Sequence, residues 1–294
     1  VALVPIAAGI ASSTHYNIPL TTAVIVGGAY FGDNLSFISD TTVMATKTQG
    51  CKMSDKFHVN LLIVAPAAII LLIVYTVLGT GIHTSAITKD VDFIKVIPYC
   101  VVLITAIAGM NVMAVLTIGL AVSGIIGIFT GQYSLPQWFG AMGNGVLGMG
   151  ELVIIAMMAG GMLEIIRKNG GIDYFIKKLT SHVHNKRGAE LSIASLVSFV
   201  NVCTANNTVA ILTVGGLAKK IGDKYGVDNR KAASILDTFS CSVQGLIPYG
   251  VQMLLAAGLS GVNPIDILKY LYYPMAIGIS AFLAIIFRFP KKYS

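Results

Sequence analysis

Long apolar runs, separated by short polar segments, dominate the pattern of this chain. A membrane-spanning helix needs about 20 mostly apolar residues, and several runs approach or exceed that length. The candidate spans are Leu61–Thr80, Ile94–Met110, Val112–Gly131, Val146–Ile166, Ile193–Leu217 and Ile265–Phe289. Two further runs, Val1–Ala11 and Leu20–Phe31, are short or interrupted. The pattern therefore predicts an all-α, polytopic membrane protein.

Composition agrees with a lipid setting. Hydrophobic residues make up 55% of the chain, charged residues only 11%, and the mean hydropathy is +0.79. A soluble domain carries about 25% charged residues. The net charge of +7 comes from basic residues that we expect in loops, such as Lys52, Lys56 and the segment Lys219–Lys231. No aromatic residues are interleaved with them, so we expect the lipid bilayer and not a nucleic acid as partner.

The stretch Gly32–Thr42 is the most polar part of the apolar sequence. An ionisable group at membrane depth costs about 2.5–3.5 kcal/mol on insertion scales, so such groups usually mark an ion or substrate path. Asp33 and Asp40 are seven residues apart, and two helical turns would put them on one face. Carboxylate and hydroxyl oxygens are the ligands that hard cations prefer. The candidate ligands are Asp33, Ser36, Ser39, Asp40, Thr41 and Thr42. The alternative is an exposed loop with an Asp helix cap.

Two polar segments interrupt the apolar sequence near the other end. Asn201–Thr208 carries three Asn and two Thr, which indicates either an unwound interior of a span or polar packing between helices. Asp237–Ser242 is followed by Pro248, which forbids a straight helix through this segment. Asp237 either lines an ion or substrate path or caps a helix near the membrane edge.

Self-comparison at an offset of 209 residues indicates an internal repeat. His15–Ile18 aligns with Lys224–Val227, and an apolar run, a polar stretch and a full span follow in both copies. Corresponding interrupted segments point to the binding site of a secondary transporter. The repeat divides the chain into a first half with connecting spans, 1–135, and a second half, 136–294. It maps Asn201–Thr208 before residue 1, so we expect the first half to lack its N-terminal part. Inverted and parallel repeats both stay open.

Several of these motifs resemble the NhaC family of Na⁺/H⁺ antiporters. The matching segments are Phe31–Ser36, Ser39–Thr42 with Gly50, Asn206–Thr208, Asp237–Phe239 and Ile247–Gly250. The chain departs from the family at Asn34, where Lys is frequent, and at Phe37, where Pro is usual. The departures concern the ion specificity more than the fold, because some relatives exchange malate and lactate.

The resemblance implies a multi-pass protein of the bacterial inner membrane with two repeats, re-entrant hairpins and broken helices. It implies transport of Na⁺ and H⁺, no cofactor and no enzymatic activity, with a homodimer and a small organic acid as further expected partners. The site residues that it implies are Asp33, Ser36, Ser39, Asp40, Thr41 and Thr42 from the first half, and Asn206, Asn207, Thr208, Asp237 and Ser240 from the second. Asp33, Asp40 and Asp237 would bind Na⁺, with Asp40 as the first candidate for the carboxylate that Na⁺ and H⁺ share.

Three other functions stay as alternatives. A Na⁺- or H⁺-coupled organic-acid exchanger would need cationic side chains at membrane depth, and only Lys47, just after the first motif, is expected there. An intramembrane aspartyl protease would need Gly-x-Gly-Asp, but Tyr30 stands at the first of these positions. A channel or a structural membrane subunit is the third alternative. The sequence favours the cation exchanger.

Overall fold

The described part of the chain is helical in the computed structural model. It covers residues 3–36, 39–80, 93–107, 112–148 and 185–293, with single residues between 110 and 183. The longer helices are α1 (Leu3–Ser13), α2 (Ile18–Leu35), α3 (Asp40–Gln49), α4 (Met53–Gly79), α5 (Phe93–Ile107), α6 (Val112–Phe129), α7 (Leu135–Gly148), α8 (Lys186–Thr204), α9 (Asn207–Tyr225), α10 (Asn229–Leu246), α11 (Val251–Ser260), α12 (Pro264–Leu268) and α13 (Tyr272–Ile286). The all-α prediction is confirmed for these residues.

Polar residues that interrupt the apolar sequence begin the helices. Ser39 caps α3 by accepting a hydrogen bond from the Thr42 amide, and Asn206 caps α9 in the same way from Val209. An N-cap side chain replaces a partner that the first helical amides lack. Gly50 ends α3 in the left-handed conformation, with φ of 69°, which glycine adopts without steric cost. Part of the polarity of these segments is therefore capping.

The predicted span Ile193–Leu217 is wrong, because the chain turns within it. α8 ends at Thr204, Ala205 takes the left-handed conformation with φ of 47°, and α9 runs back along α8. The Tyr225 hydroxyl at the far end of α9 donates to the Val183 carbonyl, just before α8, over 2.7 Å. A shared apolar core lies between the two helices. The segment is a helical hairpin with its tip at Ala205 and Asn206.

Other predicted elements fared differently. The runs Ile94–Met110 and Val112–Gly131 correspond closely to α5 and α6, while Ile265–Phe289 is divided between α12 and α13. Asp33 and Asp40 do not share one helix face, since the first belongs to α2 and the second begins α3. The run 146–166 falls largely outside the described residues.

By length and composition, two described segments could cross a membrane: Met53–Gly79 and Asn229–Ser260. The apolar side chains of α4 that face away from the protein are open, with Leu72 69% exposed and Ile70 60% exposed. The opposite face of the same helix is buried and carries Lys56 and Asn60. α4 therefore has an apolar outer face and a partly polar inner one.

α10 lies between two apolar cores and positions the site. One core joins α10 to α8 and α9, and the other joins it to α2, α4, α11 and α13. α3 packs against α9 and α10 with its hydroxyl-bearing face, including Thr41, Thr42 and Thr46, buried. Elements from both ends of the sequence therefore share one interior.

Helix bounds recur at a spacing of 211 residues. Adding 211 to the bounds of α2 gives those of α10, and the same step takes α3 to α11 and the left-handed Gly50 to Gly261. The sequence comparison used 209, so residue correspondences shift by two positions. This spacing relates secondary structure, which the side-chain matches followed less closely.

Adjacent glycines of α9 provide a matched test of the packing between α9 and α3. A Cβ at Gly215 would lie 2.6 Å from Thr48 of α3, whereas one at Gly216 would meet nothing within 4 Å. We expect Gly215→Ala to lower the free energy of unfolding by about 1–3 kcal/mol through overpacking. Gly216→Ala should be neutral or stabilising, because alanine is the better helix former. Thermal unfolding in detergent measures both, and equal midpoints would contradict the close contact.

Candidate ion-binding site

A polar cluster surrounds the buried carboxylate of Asp237 on α10. The side chain of Asp237 is 0% exposed, and its Oδ2 accepts hydrogen bonds from Asn34 Nδ2 and Asn60 Nδ2, each over 3.1 Å. Asn60 is itself held by the Ser234 hydroxyl and, over 3.3 Å, by the Thr238 hydroxyl. α2, α4 and α10 thus meet through side-chain hydrogen bonds around one carboxylate.

Lys56 forms a buried ion pair with Asp237. The Lys56 side chain is 1% exposed, and its ammonium contacts Asp237 Oδ2 directly. The same ammonium donates to the Asn34 carbonyl over 3.0 Å and to the Thr42 hydroxyl over 2.8 Å. The expected loop position of Lys56 is wrong, and so is the expectation of Lys47 as the one cation near this depth. The fourth residue of α4 points inward, because the outer face of that helix carries its apolar residues.

Asp33 is the half-buried carboxylate of the cluster. Its Oδ1 accepts a hydrogen bond from the Thr41 hydroxyl over 3.3 Å, and its Oδ2 accepts one from Asn207 Nδ2 over 3.1 Å. The Cys241 thiol lies 3.4 Å from Asp33 Oδ2 and 3.8 Å from Asp237 Oδ1. One thiol therefore connects the two carboxylates.

A cavity of about 490 Å³ leads to Asp33. Its polar wall is formed by Asp33, Asp40, Thr41, Asn206, Asn207, Thr208 and Gln252, and its apolar wall includes Ile25, Val26 and Leu255. Both charged residues of this wall are acidic. The cavity is thus suited to a cation, and residues from both ends of the sequence line it.

The structure brings most of the predicted site residues together, in three different settings. Thr42 contacts the ammonium of Lys56, and Ser39 caps α3 while lying 2.9 Å from the Thr41 hydroxyl. Ser36 is half-buried at the end of α2. Ser240 donates to the backbone carbonyl of Asp237, 2.9 Å away, within α10. Asp40 is exposed in the first turn of α3.

Sequence reasoning missed the second layer of the site: Lys56, Asn60, Ser234, Thr238 and Cys241. A signal was present in the spacing. Lys56 and Asn60 are four apart, as are Ser234 and Thr238, so each pair lies on one helix face. Among the residues that the structure describes, no group of three or more His, Cys, Asp or Glu side chains is arranged to hold a metal ion.

Removing one member of the ion pair should be costly, and removing both should not. We expect Asp237→Asn to destabilise the protein by about 3–5 kcal/mol, because it leaves the Lys56 charge buried without its partner. Adding Lys56→Gln should recover most of that loss. Thermal unfolding of the two single variants and the double variant in detergent forms a complete cycle. A double variant less stable than either single variant would show that the two charges do not compensate each other.

Comparisons with known proteins agree with this site. A family model described as the Na⁺/H⁺ antiporter family matches residues 82–291, which is more than half of the chain. The Na⁺/H⁺ antiporter NhaC of Bacillus subtilis is 25% identical over 97% of this chain and 69% of its own length. NhaC of Alkalihalophilus pseudofirmus is 25% identical over 96% of this chain and 67% of its own length. The malate-2H⁺/Na⁺-lactate antiporter of Bacillus subtilis is 22% identical over 94% and 65%. No solved structure matches the chain. The family match and the helical site together establish that this chain belongs to the Na⁺/H⁺ antiporter family.

Proposed function

We propose that this chain is a secondary active transporter that exchanges Na⁺ for H⁺ by alternating access. The observation that carries the proposal is the cavity that ends at Asp33, because its charged wall residues are both carboxylates. A carboxylate binds either a proton or a metal cation at the same oxygen, so the two compete. The relatives named as Na⁺/H⁺ antiporters support the same exchange.

Asp33 is the best candidate for the shared carboxylate. It lines the cavity and is half-buried, with two neutral donors, Thr41 and Asn207, at its oxygens. Asp237 already has a cationic partner in Lys56. Asp40 is exposed, so water screens its charge. We therefore assign competition between Na⁺ and H⁺ to Asp33, and we assign cation entry to Asp40, the first candidate from sequence.

The α8–α9 hairpin contributes the moving part in this proposal. Its tip carries Asn206, Asn207 and Thr208 to the cavity, and Asn207 reaches Asp33. Irregular backbone at membrane depth is tolerated where it is buried in protein or lines water, which suits a re-entrant hairpin. Displacement of the tip would open the cavity on the other side without unwinding either helix.

We place the protein in the bacterial inner membrane as a multi-pass chain, with Na⁺ and H⁺ as cargo and a homodimer as its assembly. Support for the lipid setting comes from the exposed apolar face of α4 and from the family. The spacing of 211 residues between equivalent helices supports two repeats, with halves near 1–135 and 136–294.

A coupled organic-acid exchanger is the second candidate. The cavity volume of about 490 Å³ favours it, since a bare Na⁺ needs far less room, and one relative is named as a malate-2H⁺/Na⁺-lactate antiporter. The acidic wall opposes an organic anion. The buried Lys56 does not offset this, because its charge is already paired with Asp237.

Substitution of the two cavity carboxylates separates their roles. We expect Asp33→Asn to abolish Na⁺-driven proton movement, because an amide neither carries the proton nor balances Na⁺. Asp40→Asn should raise the Na⁺ concentration for half-maximal rate by less than about fivefold, since an exposed charge contributes about 1 kcal/mol. The measurement is the internal pH of proteoliposomes after a Na⁺ jump, with and without lactate.

The matched control is Asp223→Asn, an exposed carboxylate of α9 outside the cavity, which should leave exchange unchanged. Full exchange in Asp33→Asn would exclude Asp33. Loss of exchange in Asp40→Asn alone would instead favour Asp40, as the sequence pattern predicts. Proton movement that requires lactate would favour the organic-acid exchanger.

A further inference from the structure

We infer that Lys56 determines the charge capacity of the site: it is a built-in cation that occupies Asp237 and leaves Asp33 as the one carboxylate for a transported cation. This inference rests on the proposed exchange function and adds to it the reason why a monovalent cation is selected.

The first support is the complete use of the Lys56 ammonium. A lysine ammonium has three N–H donors. Here the three acceptors are the Asn34 carbonyl, the Thr42 hydroxyl and Asp237 Oδ2, one each from α2, α3 and α10. All three donors are therefore satisfied within the protein, and the side chain is 1% exposed. Lys56 is fixed in position as part of the site.

The second support is the charge balance. Asp33 and Asp237 carry two negative charges when ionised, and Lys56 carries one positive charge, so the cluster has a net charge of −1. The other ionisable side chains around the pair are Cys51, beside α4, Cys241 of α10, Tyr30 of α2 and Tyr273 of α13. These thiols and phenols are uncharged in their usual form near neutral pH. One monovalent cation, or one proton, therefore neutralises the cluster.

The third support is what would remain without Lys56. Two carboxylates would flank the Cys241 thiol, and the Asn34 carbonyl and the Thr42 hydroxyl would lose their donor. Asn34 Oδ1 is a buried acceptor that has no hydrogen-bond partner among the described residues. Several oxygens with two negative charges are the donor set that Mn²⁺ and Ca²⁺ prefer. Lys56 thus excludes divalent cations by occupying the position that one would take.

A second buried lysine provides the matched control. Lys231 of α10 is 0% exposed and has a carboxylate, Glu190, 3.9 Å away. It donates to the Phe289 carbonyl over 2.6 Å at the end of α13, away from the cavity. Replacing this lysine changes buried charge by the same amount as replacing Lys56, but outside the site.

The test is Mn²⁺ binding to the purified protein, followed by electron paramagnetic resonance and by the shift of the unfolding temperature. We expect Lys56→Gln to bind Mn²⁺ at least about tenfold more tightly than the unmodified protein, because a cation no longer repels it. Mn²⁺ should then raise the unfolding temperature of that variant and inhibit its Na⁺ exchange. Lys231→Gln should show none of these changes.

The double variant Lys56→Gln with Asp237→Asn has lost both charges and again has one carboxylate. It should bind Na⁺ and lose the gain in Mn²⁺ affinity, and it tests the inference even if Lys56→Gln alone fails to fold. No gain of Mn²⁺ binding in folded Lys56→Gln, or loss of Na⁺ binding in the double variant, would overturn the inference. Absence of Na⁺-driven proton movement in the unmodified protein would instead overturn the proposed function, whatever the Mn²⁺ result.

Discussion

The ion pair between Lys56 and Asp237 is the constraint on which the interior depends. Two charges removed from water are tolerated only when they are paired and their other hydrogen-bonding positions are filled. The pair meets this condition by drawing on three further elements: Asn34 from α2, Thr42 from α3 and Asn60 from within α4. The positions of α2, α3, α4 and α10 relative to one another are therefore linked by one set of polar contacts inside an otherwise apolar protein.

This constraint also accounts for the two characters of the site. The carboxylate that is fully enclosed, Asp237, has a permanent partner, and the carboxylate that faces the cavity, Asp33, has only neutral donors around it. Burial and exchange chemistry are thereby separated between two residues that share the Cys241 thiol. A single carboxylate could not be both permanently neutralised and free to exchange its cation.

Much of this arrangement could be predicted from the sequence, because lipid exposure requires long apolar runs and makes each polar interruption conspicuous. The segments around Asp33, Asn207 and Asp237 were identified in this way, and they do meet in space. The turn at Ala205 was not, since an apolar run of a given length does not reveal whether the chain crosses or folds back. Lys56 was missed for a related reason. A lysine at the start of an apolar run looks like the end of a loop, and only the packing of α4 against α10 shows that it points inward.

The spacing of 211 residues between α2 and α10 gives the two helix breaks a shared design with unequal chemistry. Asp33 and Thr41 have Gln244 and Gln252 as their counterparts, and each pair is joined by a side-chain hydrogen bond across its break, over 3.3 Å and 2.9 Å. In the first break the bond uses a carboxylate oxygen that a cation or a proton would also use. In the second break both partners are amides, which neither ionise nor attract Na⁺. One joint of the pair therefore responds to the ion, and the other keeps its geometry whichever ion is bound.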